Sequence, residues 1–294
     1  MIVQLYGSIE GGGTKFVCAI GNEQLEIMEK AVFKTTTPEE TLKKVVQFFE
    51  ENPVSAIGMG MFGPLEQRIG HEKYGYITST PKQGWANIDV VSQLKEVLNV
   101  PIYFTTDVNS SAYGEFISRG NVPGLVYYTI GTGIGAGIVL NGEIIGVTGH
   151  PEMGHVSVKR RLDDADFEGV CPYHKDCLEG LASGPTLQAR LGILGERVAL
   201  DHPIFELIGY YIAQACVQAT LTLRPNVIVL GGGVMSSNLL EIVKKEFKKT
   251  LNNYIEIENI DTYLSLPTVV ENGSATIGNF ALAKKNLKIY KKRC

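Results

Sequence analysis

Two stretches of the chain repeat one pattern, in which an apolar strand, a glycine-rich turn and a second apolar strand follow one another. The first covers residues 2–21 and turns at residues 10–15, and the second covers residues 125–142 and turns at residues 131–135. Neither is a Walker loop or a dinucleotide fingerprint, because a short strand rather than a helix follows each turn. The second pattern closes on Asn-Gly, a hairpin signal. The repeat, about 120 residues apart, predicts two α/β lobes built on one plan.

Glycine turns at the ends of strands are suited to binding anions, because they let backbone N–H groups approach closely. Taken alone, the turn at residues 10–15 is equally compatible with an ordinary glycine-rich hairpin. A third cluster, Gly231-Gly232-Gly233, ends a strand predicted over residues 227–230. Three such turns and one carboxylate, Asp107, are typical of a nucleotide-dependent phosphoryl transferase, which needs anion cradles, a divalent metal and one base.

Asp107 follows a strand predicted over residues 101–105 and opens a helix predicted through Glu115. The carboxyl end of a strand is where α/β sheets place ligand-binding groups. By position alone, the N-cap of that helix is the favoured interpretation of Asp107. Apolar periodicity predicts the other main elements: a strand over residues 56–61 and helices over residues 38–51 (with Thr37 as N-cap), 88–98, 203–223, 237–251 and 274–294.

The segment from Gly149 to Pro185 contains four candidate metal ligands, His155, Cys171, His174 and Cys177. Two thiolates and two imidazoles make a complete tetrahedral set for zinc, and a complete set predicts a structural rather than a catalytic metal. Acidic residues fill the loop after the first ligand, and zinc would give this loop a reason to be ordered. The alternative is two buried free thiols and two surface histidines.

Length, net charge, apolar runs and cysteine content limit the classes of protein to which the chain can belong. A length of 294 residues suggests about two domains, and a net charge of −4 argues against general nucleic-acid affinity. We expect no membrane segment, since no apolar run approaches the ~20 residues that a membrane helix needs, and no signal peptide is evident. The remaining cysteines, Cys18, Cys216 and Cys294, are far apart and odd in number, which favours a reduced, cytoplasmic setting.

Taken together, the chain resembles the ROK family of sugar kinases over nearly its whole length. The resemblance rests on an ordered set of motifs: GGGTK at 11–15, TDVN at 106–109, GTGIGAGIV at 131–139, E-x-x-H at 152–155, CLEGLASGP at 177–185 and VLGGGV at 229–234. It implies the actin-like ATPase (ribonuclease H-like) fold, a duplicated two-lobe α/β fold with an interlobe cleft. The expected lobes are residues 1–115, completed by the C-terminal helix at about 275–294, and residues 116–274, which include the zinc-binding loop.

The resemblance also implies a role for each motif. Asp107 would be the general base on a sugar hydroxyl. The expected sugar-binding residues are Asn109, Glu152, His155 and Glu179. His155 could bind the sugar from one ring nitrogen and zinc from the other, so that zinc orients the sugar site. Residues expected to hold ATP and Mg²⁺ are Glu10, Gly11, Gly12, Gly13, Thr14, Lys15, Thr132, Gly133, Gly184, Pro185, Gly231 and Gly232. Among these, Glu10 would help to hold Mg²⁺, Thr132 and Gly133 would meet the phosphates, and Gly231 and Gly232 would lie near adenosine.

Two features point to the fructokinase branch of the family. Glu10 stands where many ROK kinases have Asp, and the metal segment has the form CPYHKDC instead of C-x-C-G-x-x-G-C, which makes His174 the middle ligand. The expected reaction is therefore ATP-dependent phosphorylation of D-fructose to fructose 6-phosphate, by a cytoplasmic homodimer whose partners are a hexose and ATP. The alternatives are a glucokinase, which Thr106 disfavours, a mannokinase and a non-catalytic sugar sensor. A ROK repressor is not expected, because the first glycine loop begins near residue 7.

Overall fold

The computed structural model describes residues 4–80, 82–146, 148–270 and 273–293. The chain forms two compact units. Unit 1 comprises Met1–Gly120, Ile144–His150 and Val269–Cys294, and unit 2 comprises Asn121–Glu143 and Pro151–Thr268.

The strands are β1 (Tyr6–Gly11), β2 (Lys15–Gly21), β3 (Ile27–Lys34), β4 (Ala56–Met61), β5 (Tyr76–Ile77), β6 (Ile88–Asp89), β7 (Ile102–Thr106), β8 (Gly124–Ile130), β9 (Ile134–Leu140), β10 (Glu143–Ile144), β11 (Val227–Gly231) and β12 (Leu264–Ser265). The helices are α1 (Pro38–Glu51), α2 (Val90–Leu98), α3 (Asp107–Ser118), α4 (Leu178–Ala182), α5 (Gly184–Leu191), α6 (Ile204–Leu223), α7 (Ser237–Leu251), α8 (Ile260–Tyr263) and α9 (Ser274–Arg293). Short 3₁₀ turns cover Met153–His155, Leu162–Asp164 and Gly195–Arg197.

The two main sheets share one topology. The strand order is β3-β2-β1-β4-β7 in the first and β10-β9-β8-β11-β12 in the second. In each, a hairpin strand pairs antiparallel (β1 with β2, β8 with β9) and a later strand pairs parallel with the first (β1 with β4, β8 with β11). The duplication predicted from the repeated glycine turns is therefore confirmed.

Most predicted elements agree with the structure. Helix α1 begins where the sequence places it, because Thr37 Oγ1 accepts a hydrogen bond from Glu40 N at 3.3 Å and Pro38 occupies the first turn. The helix predicted over residues 88–98 begins later, at Val90. Asp89 caps it by accepting from Ser92 N at 2.9 Å, and residues 88–89 instead pair with β5.

The unit boundaries differ from those expected at three places. Near the C-terminus, residues 269–274, expected in the second lobe, belong to unit 1. The expected boundary at residue 115 falls inside α3, which continues to Ser118. Residues 144–150, expected in the second lobe, belong to unit 1. The His150 ring lies 3.6 Å from the position that a Cβ on Gly63 would take, and this contact helps to explain why the segment groups with unit 1.

Helix α6 lies in the core of unit 2. It is also long and apolar enough to pass the test for a membrane-spanning helix, so the expectation that no apolar stretch of the chain would pass is wrong. Of its 18-residue apolar window, 72% is buried inside the fold. Tyr128 on β8 packs against it and donates a hydrogen bond to Ala215 O at 3.3 Å. A mostly buried core helix passes the same test, so the finding is weak evidence for a membrane span.

The sheet of unit 1 is covered on one face by a core that includes Val45 and Phe49 of α1 and the buried Trp85. On another side, Phe280 of α9 packs with Tyr6. Asn279 of α9 ties this helix to the sheet, since its Nδ2 donates to Ile9 O at 3.0 Å.

Helices α3 and α9 cross at two glycines. A Cβ on Gly114 of α3 would fall on Ser274 O, and a Cβ on Gly278 of α9 would fall on Ser110 O. The helix backbones therefore touch, and Ser110 Oγ donates to Asn279 Oδ1 at 2.6 Å. This crossing fixes α3, and with it the residue at its N-terminus, Asp107.

We predict that Gly114→Ala and Gly278→Ala each destabilise unit 1 by about 1–3 kcal/mol, because the added methyl group overpacks the helix crossing. Urea denaturation followed by tryptophan fluorescence measures this directly, since Trp85 is the single tryptophan and is buried in unit 1. Gly149→Ala is the control, because nothing lies within 4 Å of its added Cβ. Equal stability of all three variants would show that the crossing is not tightly packed.

Candidate functional site

Asp107 lies at the junction of β7 and α3. The N-cap of α3 is Thr106, whose Oγ1 accepts from Asn109 N at 3.1 Å, so the interpretation of Asp107 as the N-cap is wrong. Asp107 is the first residue of the helix, and its Oδ1 accepts from Val108 N at 2.8 Å. Because Gly60 on β4 has no side chain, the start of α3 can approach the sheet, and a Cβ there would lie 3.1 Å from Asp107 Cα.

Burial raises the pKa of Asp107 to about 6, against the opposing effects of backbone N–H groups and of nearby His150. A carboxylate with this pKa is ionised at neutral pH, yet it accepts a proton more readily than an exposed aspartate does. The environment of Asp107 is therefore suited to general-base chemistry.

Glu10, near the end of β1, is the second carboxylate of this region. Burial and then the charge of Asp107 raise the pKa of Glu10 to about 7, while Lys15 and Lys30 lower it. The negative charge of Asp107 therefore opposes the ionisation of Glu10. A divalent cation beside Glu10 would favour its ionised form, and carboxylate oxygens are the ligands that Mg²⁺ prefers. Glu10 thus fits as a ligand of a magnesium ion, which leaves Asp107 as the base.

The first glycine turn joins β1 to β2 and carries five of the predicted cofactor residues, Gly11, Gly12, Gly13, Thr14 and Lys15. Gly12 N donates to Lys15 O at 2.9 Å and closes the turn. From outside it, Thr35 Oγ1 donates to Gly12 O at 2.7 Å. Nothing lies within 4 Å of the position that a Cβ on Gly13 would take, so the tip of the turn is open to an anion.

The second glycine turn, in unit 2, joins β8 to β9 and contains Thr132 and Gly133. Glu179 on α4 accepts from Ile134 N at 2.9 Å. Gly184 N, at the start of α5, donates to Gly131 O at 2.7 Å. Glu179, expected to bind sugar, therefore also holds the turn in place, and the SGP motif with Gly184 and Pro185 lies against it.

Two further observations mark the second turn as a binding region. Ser183 Oγ, just before α5, is buried and has no hydrogen-bond partner among the residues that the structure describes. The third glycine cluster lies next to it: Gly231 ends β11, Gly232 follows, and Val234 N donates to Ile130 O at the end of β8 at 3.0 Å. The structure thus brings the second and third predicted anion cradles together within unit 2.

Glu152 and His155 flank the 3₁₀ turn Met153–His155, in which His155 N donates to Glu152 O at 3.0 Å. Gly154 allows this turn to lie on the first residue of β9, because a Cβ there would fall on Ile134 O. Ile134 is also the residue that Glu179 holds. Glu152, His155 and Glu179, the three sugar-binding candidates of unit 2, therefore surround one strand end.

The four predicted metal ligands converge. The ligand atoms of His155, Cys171, His174 and Cys177 all lie within 4.8 Å of one another. Nδ1 of His155 is 3.7 Å from Cys171 Sγ and 3.5 Å from Cys177 Sγ. Nδ1 of His174 is 3.8 Å from Cys171 Sγ. Tetrahedral zinc bonded to sulfur and nitrogen places these atoms about 3.6 Å apart, so the cluster fits zinc and offers no vacant position.

Asn109 is the sugar-binding candidate of unit 1. Its Nδ2 donates to Thr105 Oγ1 at 3.0 Å, and Thr105 Oγ1 donates to Gln67 Oε1 at 3.3 Å. Its Oδ1 is buried without a hydrogen-bond partner in the part of the chain that the structure describes. An orphaned buried oxygen is unusual and is compatible with a polar ligand.

Sequence reasoning missed His150, Gln67 and Thr105. His150 interacts electrostatically with Asp107 because residues 144–150 return to unit 1. Gln67 and Thr105 orient the Asn109 amide. The sequence GHPEMGH places a second histidine, His150, five residues before the metal ligand His155, and this proximity could have marked His150 as a site residue. No local pattern indicates Gln67.

Comparisons with known proteins show which family this chain resembles. The model of the ROK family matches residues 6–286. A fructokinase of Lactococcus lactis subsp. cremoris is 58% identical over 280 residues, which cover 95% of this chain and 96% of the relative. A fructokinase of Streptococcus mutans serotype c is 54% identical over 287 residues, covering 96% and 98%.

Solved structures share the fold. A ROK hexokinase from Thermus thermophilus matches with a TM-score of 0.78 and 21% identity, over 97% of this chain and 100% of that one. The predicted actin-like ATPase plan, with two sheets of equal topology, is confirmed. On the family match and the identity to its relatives, the chain belongs to the ROK family.

Proposed function

We propose that this chain is an ATP-dependent fructokinase that converts D-fructose to fructose 6-phosphate. Relatives at 58% and 54% identity are named fructokinases and match over nearly the full length of both chains. The observation that carries the proposal is the half-buried carboxylate Asp107 at the start of α3, directly after β7, with its pKa raised to about 6.

Asp107 accepts the proton of the sugar hydroxyl as that oxygen attacks the γ-phosphorus of ATP, the bond from this phosphorus to the β,γ-bridging oxygen breaks, and ADP leaves. A positioned base of this kind contributes about 10²–10⁴-fold to the rate. Glu10 is the residue placed to hold Mg²⁺, which when bound neutralises charge on the phosphates. The open turn of residues 11–15 and the turn containing Thr132 and Gly133 receive the phosphates, and Gly231 and Gly232 approach the adenosine. Gly184 and Pro185 support the second turn.

The sugar is held by Asn109, Glu152, His155 and Glu179. His155 directs Nδ1 toward the two cysteine sulfurs, which leaves Nε2 for a sugar hydroxyl. Glu179 has one carboxylate oxygen on Ile134 N and a second for the substrate. In this arrangement the metal is structural zinc, and it fixes the orientation of a sugar-binding imidazole.

The proposal extends to a cytoplasmic homodimer. Cys18, Cys171, Cys177 and Cys216 are free thiols, which agrees with a reducing compartment. The dimer rests on the family resemblance.

We predict a higher kcat/KM for fructose than for glucose or mannose, measured with ATP and Mg²⁺ by coupling ADP formation to a spectroscopic assay. Phosphorus NMR of the product should show the phosphate on C6. The Asp107→Asn protein, purified in parallel, controls for contaminating host kinases. A preference for glucose would overturn the substrate, and the absence of transfer to any hexose would overturn the kinase itself and favour a sugar sensor.

We predict that Asp107→Asn lowers kcat by about 10²–10⁴-fold, because the amide cannot accept the proton. Nucleotide affinity, measured by calorimetry with a non-hydrolysable ATP analogue, should change little. Asp89→Asn is the matched control, since Asp89 caps α2 in the same unit and asparagine caps as well as aspartate. A kcat within about threefold of wild type for Asp107→Asn would contradict the assignment.

We predict that the purified protein contains one zinc per chain, measured by elemental analysis, because the four ligands complete one tetrahedral shell. The double variant Cys171→Ala, Cys177→Ala should lose the metal. Cys216→Ala, a buried cysteine outside the cluster, should retain it. Full zinc occupancy in the double variant would rule out this site.

A further inference from the structure

A buried ion pair joins helix α5 to the metal segment at Asp164, midway between the ligands His155 and Cys171. Arg190 on α5 donates two hydrogen bonds to Asp164, from Nε to Oδ1 at 3.0 Å and from Nη2 to Oδ2 at 2.8 Å. The Arg190 and Asp164 side chains are only 8% and 6% exposed. Tyr211 on α6 donates its hydroxyl to the same Oδ2 at 2.7 Å. Both charges are therefore paired and hydrogen-bonded, as buried charges must be.

Arg190 also contacts two other parts of this region. Its Nη1 donates to Leu181 O, near the end of α4, at 3.0 Å. Its guanidinium lies 3.8 Å above the centroid of the Phe167 ring, within the range of a cation–π contact. One side chain therefore joins the acidic loop to α4, which carries Glu179, and to α5.

Helix α6 holds the preceding part of the loop through side chains that are not metal ligands. Gln214 Oε1 accepts from Lys159 N at 2.7 Å, and its Nε2 donates to Lys159 O at 3.1 Å. Gln218 Nε2 donates to Ser157 O at 3.0 Å. Tyr211, Gln214 and Gln218 recur at helical spacing, so they present one polar face of α6 to the loop.

These contacts change the expected role of the metal. The sequence predicts that zinc orders the loop at residues 156–170. A flexible linker of this length would resist the meeting of His155 and Cys171 through its loop-closure entropy. The anchor at Asp164 divides the linker in two and fixes its middle to α5 and α6, so part of that entropy is already lost in the metal-free protein.

We propose that the cluster of Asp164, Arg190 and Tyr211 orders residues 156–170 and positions the metal ligands, and that the metal completes a site already formed. Arg190 and Tyr211 are positioning residues that act through the loop. This inference rests on the zinc site proposed above.

The test compares metal affinity in zinc-free protein, using Co²⁺ as the probe because its bonds to thiolates give a charge-transfer absorption band. Arg190→Lys keeps the charge but loses the two-pronged geometry, and Tyr211→Phe removes one hydroxyl. The control is Arg161→Ala with Asp163→Ala, which removes an ion pair in the same loop whose side chains are 36% and 63% exposed. Hydrogen exchange of residues 156–170 is followed in the zinc-free wild type.

Arg190→Lys and Tyr211→Phe should weaken Co²⁺ binding, with Arg190→Lys approaching the ~10–100-fold loss typical of residues that orient metal ligands. The control should stay within about twofold, because exposed ion pairs contribute little. Amides of residues 156–170 should remain protected without metal. Affinities equal to that of the control, or loss of protection on zinc removal, would overturn the proposal. A wild type that binds no Co²⁺ while this loop stays protected would refute the zinc site and leave the ordering role standing.

Discussion

The close crossing of α3 and α9 is the contact on which the site in unit 1 depends. The two helix backbones touch at Gly114 and Gly278, and Asn279 links both helices to the central strand β1. Because the start of α3 is held in this way, Asp107 stays half-buried at the end of β7. The packing of small residues thus sets the electrostatic environment of the carboxylate that we propose as the base.

Burial acts differently on the two carboxylates of unit 1. Asp107 is stabilised in its ionised form by the N–H group of Val108, whereas the charge of Asp107 acts against the ionisation of Glu10. A bound cation would reverse the effect on Glu10, since it favours the charged form. The same pair can therefore provide a base at one position and a metal ligand at the other, with the difference made by their neighbours.

The sequence allowed the duplicated plan and the metal ligands to be predicted, because both depend on local patterns. Strand–glycine–strand repeats identify the two sheets. Cys171, His174 and Cys177 have only two residues between successive ligands, so one tight loop can direct all three at the same metal. The N-cap at Thr106 was missed because Thr and Asp are both good caps and adjacent in the chain. The approach of His150 to Asp107 and the pairing of Asp164 with Arg190 depend on contacts between residues distant in sequence, which periodicity does not encode.

The role of Asp107 as a base poised by burial is tested most directly by the pH dependence of kcat/KM for fructose at saturating Mg-ATP. A base acts only when it is ionised, so activity should fall as the pH drops through about 6, the raised pKa of Asp107, by about tenfold per pH unit. Replacing Glu10 with glutamine should lower the rate, because a proposed Mg²⁺ ligand is lost, but it should leave this acid limb of the pH profile in place, because the limb belongs to Asp107. A fall in kcat/KM centred near pH 4, the ordinary pKa range of an exposed aspartate, would contradict the assignment.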